Sequence, residues 1–377
     1  MKLQYAVILF TGLILATGCR KGCTDPEAIN FDPKAKKDNN SCQFEPYSVP
    51  ATYFFTDENG NPTVYYGGQT DRLNQLSEMV AFMKAGTETQ LDAQALKDLF
   101  ANTNDNGNGN FSFSSVKQLK DKCFDLDQSL FEGWMDSIAN ASVHFASTAS
   151  NGQAGTLTTG SSTYLFDANG IEHLQLIEKG LMGAVFMYQA LNVYFGEGKM
   201  SADNTTAVDP ANGKYYTAME HHWDEAFGYF GVEPTFPATV PTSFWGKYSN
   251  AQNETLDCNT DMMSNFLMGR AALSANVLTD RDAAIAAIRT EWESISAYQA
   301  MSYLDQALTY FGNDNAKFLH VLSEAYAFSW NLRYAPEETR RMTPTEHTAL
   351  MAMFKPNFWN MGVADIHQIK STIDSNY

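Results

Sequence analysis

The stretch IEHLQLIEKGLMGAVFMYQALNVYF, residues 171–195, decides the fold class. It runs for about 25 residues without proline and is apolar at nearly every position from Leu181 to Tyr194. That length exceeds a strand and fits a helix buried on most of its faces. Working outward, apolar residues recur at helical spacing downstream in 215–230, 262–278, 282–310, 315–333, 344–354 and 363–373. Upstream the same spacing joins Leu73, Leu76, Met79, Val80 and Met83, then Leu91, Leu96, Leu99 and Phe100, then Leu126, Leu130, Trp134 and Ile138. Stretches rich in Gly, Ser, Asn and Thr separate them at 102–110, 147–162, 201–213 and 233–257. The expectation is an all-α protein, a helical bundle with long loops, built as one bundle or as two packed four-helix bundles.

Two short runs break the helical pattern near the start of the main domain. Residues 52–56 and 63–66 are rich in Thr, Tyr and Phe and flank the Gly/Asn turn 57–62, which predicts a hairpin. The loop 104–110 has the composition of a calcium loop but lacks the alternating Asp residues and terminal Glu of an EF-hand, so a flexible connector is expected there.

The first residues read as an export signal. Lys2 precedes an apolar run, and the segment closes on Ala16-Thr17-Gly18-Cys19. The run is shorter than the roughly 20 apolar residues a membrane-spanning helix needs. Small residues before a cysteine resemble the lipobox of bacterial lipoproteins, which implies removal of residues 1–18 and a lipid on Cys19. The expected partner is therefore a membrane, reached through that lipid, at the outer membrane. Arg20, Lys21 and Gly22 follow the anchor where surface-directed lipoproteins carry acidic residues; a periplasm-facing site is expected, with the cell surface as the alternative.

Composition narrows the partners further. Lys and Arg total 25 against 43 Asp and Glu, a formal net charge of −18. Phosphate binding depends on cationic side chains releasing counterions, so nucleic acid is excluded as a partner. With Cys19 assigned to lipid, Cys23, Cys42, Cys123 and Cys258 form an even set suited to an oxidising compartment. Of the three possible pairings, Cys23–Cys42 with Cys123–Cys258 is preferred, because the first two close one short polar loop. Residues 19–46 then read as an anchored, disulfide-closed module and linker, in which Asp and Asn serve as turn formers, and 47–377 as the helical domain.

The densest polar cluster on any predicted helix is Glu220-His221-His222-Trp223-Asp224-Glu225. Glu225 lies four residues from His221 and three from His222, so either imidazole can share a helical face with it. His320 and Glu324 repeat the four-residue spacing, and Glu178, preceded by Glu172 and His173, sits on a third apolar helix. Carboxylates and imidazoles facing inward from several helices are how bundles build metal sites. Glu178, His221, His222, Glu225, His320 and Glu324 are accordingly the expected ligands of a divalent or ferric ion, with iron favoured over zinc or calcium. HExxH, GxSxG, P-loop and Rossmann patterns are absent, no catalytic residue is assigned, and an enzyme is the less supported reading. Arg333, beside aromatic residues, is expected to cap its helix.

Several stretches together resemble a family of Bacteroidetes lipoproteins with an uncharacterised helical domain: Tyr65-Tyr66-Gly67-Gly68-Gln69-Thr70-Asp71-Arg72-Leu73, Ile177 to Ala184, His221 to Phe230 and His320 to Tyr334. More distantly, His222-Trp223-Asp224-Glu225 is similar to the HxxE of imelysin-like proteins, exported helical lipoproteins linked to iron uptake. That likeness implies a metal-uptake role with outer-membrane partner proteins. The competing expectation is a binding or assembly module without metal, recognising a glycan, a peptide or a partner protein. It requires each His/Glu pair to be hydrogen-bonded locally.

Overall fold

The computed structural model describes residues 20–26, 28, 30–43 and 47–377. The expected signal segment 1–18 and the expected lipid site Cys19 lie outside the described residues. The chain divides into two units, Met1–Ser48 and Val49–Tyr377.

In the first unit, β1 (Lys21–Gly22) pairs in parallel with β2 (Lys37–Asp38). The disulfide Cys23–Cys42 closes the loop, as the spacing predicts. Asp32, Asp38 and Asn39 accept the backbone N–H of Lys34, Asn40 and Ser41, each two residues on, at 3.0, 3.0 and 3.1 Å. They act as turn formers, as their placement in a polar loop suggests.

The second unit is helical, with only two-stranded sheets among the described residues. Its spine is α9 (Leu278–Tyr310), 33 residues and roughly 50 Å at 1.5 Å per residue. Packed along α9 are α8 (Cys258–Ser274) and α10 (Asn315–Asn331), and α10 in turn packs on α4 (His173–Leu181). Around them lie α1 (Gly67–Lys84), α2 (Ala93–Ala101), α3 (Gln128–Ser142), α6 (Ala218–Phe230), α11 (Pro344–Met353) and α12 (Val363–Asp374), with a short α5 (Glu197–Met200). Helix starts follow local chemistry. Thr217 accepts from Glu220 N while Glu220 accepts from Thr217 N, and Thr343 with Glu346 repeats this reciprocal cap. Among the described residues no helix is long and apolar enough to cross a membrane.

Several local expectations change. The 171–195 helix is α-helical only to Leu181, and then winds as two π-helical stretches, Met182–Met187 and Gln189–Tyr194. Residues 233–257 contain a further helix, α7 (Phe244–Leu256), buried through Phe244, Trp245 and Tyr248. The loop 147–162 leads into an antiparallel hairpin, β3 (Gly155–Thr159) with β4 (Ser162–Phe166), whereas 52–66 keeps only a Thr56–Pro62 bridge. Loop 102–110 is tied down: Asn102 donates to Ser115 O and Lys117 O at 2.5 Å each, and Asn108 donates to Asp98 at 3.0 Å. Another hairpin, β5 (Ala207–Asp209) with β6 (Lys214–Thr217), leads into α6.

One expected pairing is overturned. Cys123 and Cys258 are free thiols, both buried. Each is settled on its own element: Cys258, at the start of α8, donates to Ser249 O on α7 at 3.1 Å, and Cys123 reaches Phe124 O at 3.7 Å. Burial first, then nearby carboxylates, push the Cys123 thiol far up, and burial raises Cys258 to about 11. Neither is a ready thiolate.

Candidate functional site

Helical periodicity divides the Glu220–Glu225 cluster between two faces of α6. Glu220 and Asp224 turn inward onto Arg270 of α8, which is fully buried. Arg270 donates to Asp224 at 3.0 Å, to Glu220 at 2.6 Å, to Ser274 at 2.8 Å, and to Thr63 O and Oγ1 at 3.1 and 3.2 Å. Tyr53 OH and Tyr65 N–H also donate to Asp224, at 2.8 and 3.1 Å. Burial pushes the Asp224 carboxyl up to about 6 against the pull of Arg270, so it is ionised at neutral pH. This is a closed structural network tying the 53–65 segment to two helices.

The other face holds His221, His222 and Glu225. His222 Nδ1 lies 3.0 Å from Glu225 Oε2, and Gln69 donates to Glu225 Oε1 at 3.1 Å. His221 Nδ1 lies 3.0 Å from Tyr65 O, its ring stacked on Tyr216 at 4.8 Å. Burial lowers the His221 pKa. Burial would raise Glu225, but the His222 hydrogen bond and the His221 charge hold it below its usual range. These three predicted ligands form local pairs.

The other three predicted ligands, Glu178, His320 and Glu324, meet around a pocket of about 530 Å³. Glu172, at the N-cap of α4, places Oε2 2.6 Å from His320 Nδ1. His320 Nε2 lies 3.4 Å from Glu324, which accepts from Tyr303 OH of α9 at 2.9 Å. Glu324 is 3.9 Å from Lys179, itself 2.8 Å from Glu178. Carboxylate and cation thus alternate through five side chains. Burial would lower the pKa of His320, but Glu172 and then Glu324 raise it overall. Burial likewise opposes the charge on Lys179, yet Glu178 and Glu324 keep it high, while burial carries Glu324 upward.

Sequence reasoning missed Lys179, Gln175, Tyr303 and Tyr164. Lys179 left a signal, a cation beside Glu178 at the start of an apolar run. Tyr164, on β4, stacks on the His320 ring at 4.2 Å. Gln175 lines the same pocket, donates to Glu172 at 3.1 Å and carries a buried Oε1 without a hydrogen-bond partner among the described residues. An orphaned buried acceptor is costly and calls for a donor.

Both nitrogens of His320 face carboxylates, so neither is free to ligate. Among the described residues no group of three or more His, Cys, Asp or Glu side chains is arranged to hold a metal ion. The six expected ligands are split between the α6 face and the His320 pocket.

A model of the family described as "Domain of unknown function (DUF4856)" matches residues 50–377. No curated protein and no solved structure matches the chain.

Proposed function

The chain belongs to that DUF4856 family, and on this premise we propose that it is an exported, lipid-anchored binding module that takes a neutral, hydroxyl-rich ligand, a small glycan, in the His320 pocket. The observation that carries this reading is the lining itself. Four carboxylates, Glu88, Glu172, Glu178 and Glu324, face three ammoniums, Lys84, Lys179 and Lys247, and His320. Near-balanced charge selects against a strongly charged ligand. Dense donors and acceptors on the lining suit hydroxyls, which both give and accept hydrogen bonds. The volume lies within the roughly 300–1,000 Å³ of small-ligand sites.

The iron-binding, imelysin-like reading draws less support. A cation at His320 would have to break its contact with Glu172 or Glu324, and His222 is already paired with Glu225. The lipoprotein reading rests on the Ala16-Thr17-Gly18-Cys19 signature.

The test is saturation-transfer NMR on the protein with a panel of mono- and disaccharides, beside Fe³⁺, Zn²⁺ and Ca²⁺ titrations read by calorimetry. A neutral sugar should give transfer that Gln175→Ala and His320→Ala abolish. A stoichiometric metal isotherm lost in His320→Ala, with no sugar signal, would return the reading to metal.

A further inference from the structure

A second cleft, sharing no lining residue with the first, opens at the C-terminal end of α10 against α11 and has a volume of about 350 Å³. The charged residues lining it are two arginines, Arg333 and Arg340, with no carboxylate among the lining residues. In a chain of net charge −18 that local excess of cation stands out. Trp330, Phe124, Met342 and Met351 supply apolar wall, and His347 and Thr348 are the uncharged polar residues of the lining.

Neither arginine is fully engaged. The Arg333 guanidinium lies 4.6 Å over the Trp330 ring and 5.7 Å from Phe124. Its one anionic partner among the described residues is Asp127, 3.1 Å from Nη1, and Asp127 also accepts from Tyr334 OH at 2.5 Å. Among the described residues the ion-pair partner of Arg340 is Glu337, at 3.6 Å, and that glutamate is 86% exposed, so water screens the pair. His347, also in the lining, has its Nε2 3.1 Å from Ser329 O. Burial, with Arg333 as a lesser cause, depresses its pKa, so it adds no charge to the cleft.

A guanidinium placed over an aromatic ring can offer its N–H groups to a planar, bidentate acceptor. The surrounding aromatic and methionine side chains favour an apolar body behind that acceptor. We propose that this cleft is a binding site for a carboxylate carried on an apolar body about the size of one aromatic ring, held by Arg333 and Arg340. This chemistry is offered both by a free aryl-alkanoate and by the C-terminus of a peptide ending in an apolar residue.

Calorimetry with the full-length chain tests it, using 3-phenylpropionate, its neutral counterpart 3-phenylpropan-1-ol, inorganic phosphate, and an N-blocked peptide ending in Phe with its C-terminus free or amidated. The acid should bind at least roughly tenfold more tightly than the alcohol, since charged hydrogen bonds contribute about 1.5–3 kcal/mol. Arg340→Gln should remove most of that difference, and because the ion-pair partner of Arg340 is an exposed glutamate the variant keeps its fold. Arg333→Lys, which retains charge but loses the fork, should weaken binding by about as much. Tighter binding of the free-ended peptide than of the acid identifies a chain terminus as the source; the reverse identifies a small acid. Equal binding of acid and alcohol, phosphate binding as tightly as the acid, or no binding by the acid or the peptide overturns the proposal.

Discussion

At the scale of single residues, the buried charges separate into one group built to be permanent and one that titrates. Arg270 belongs to the first. Its substitution by Met leaves Glu220 and Asp224 buried without their cation, and breaking a buried pair from one side costs about 3–5 kcal/mol. Chemical denaturation should show a loss of that size, and a loss under about 1 kcal/mol would mean that water repairs the site. His320 belongs to the second group. Its folded pKa is raised by Glu172 and Glu324, so the stability from its protonated form is fully present below about 6.5, the unfolded value. That stability is lost as pH rises through the raised folded value. His221 and His347 shift downward, so their contributions change below 6.5, while the raised carboxyl of Glu324 loses stability in the same direction as His320 when pH rises. The denaturation midpoint should therefore fall as pH rises above 6.5, and His320→Gln should flatten the slope. An identical slope in the variant would assign the titration elsewhere.

At the scale of elements, the π-helical stretch after Leu181 meets the C-terminal end of α10. Gly183 is placed so that any Cβ would overlap the Asn331 side-chain amide and press on Tyr334. The backbone here is held by outside donors: Asn331 to Lys179 O at 2.9 Å, Trp245 to Met182 O at 2.8 Å, and Phe124 N to Ala184 O at 2.9 Å. Two effects of Gly183→Ala oppose one another. Helix propensity favours Ala by about 1 kcal/mol, whereas overpacking costs about 1–3 kcal/mol. With the amide of Asn331 directly in the way and its bond to Lys179 O disturbed, packing should win. A lowered unfolding midpoint is expected, partly restored by adding Asn331→Ala; a raised midpoint would show that Asn331 simply moves aside.

The same stretch shows why some of the fold is legible in sequence and some is not. Long 3.6-residue periodicity located α1, α6, α9, α10 and α12, most plainly in α1 and α12, where one face is buried and the other exposed. A segment buried all round, such as 181–194, has no contrast between faces, so its turn size is set by what packs on it and not by its own pattern. Helix α7 was hidden because its aromatic residues are mixed with Asn, Gln and Ser behind a proline-rich lead. The β3 strand, Gly155–Thr159, read as loop for want of large β-formers. In the site, pairs three and four residues apart were visible, hence His320 with Glu324 and His222 with Glu225. The partners that complete them, Glu172 for His320, Gln69 for Glu225 and Arg270 for Glu220 and Asp224, come from 46 to 156 residues away. Only folding brings those together.

At the scale of the whole molecule, five cysteines take three chemical roles, and one measurement separates them. Cys23 and Cys42 are joined, Cys123 and Cys258 are buried thiols, and Cys19 is proposed to carry a thioether lipid. Ellman titration of the membrane-extracted protein should then find no reactive thiol in the native state. Unfolding in denaturant without reductant should release two thiols, and reduction should raise the number to four. A Cys123–Cys258 bridge would instead leave none before reduction. An unmodified Cys19 would add one thiol to both the denatured and the reduced counts, and would react in the native protein as well. Cys19→Ser should leave the two-then-four pattern unchanged while moving the protein from the detergent to the aqueous phase on Triton X-114 partition. Retention in the detergent phase would place the attachment somewhere other than residue 19, because among the described residues no helix can span a bilayer and the net charge of −18 opposes adhesion to anionic lipid.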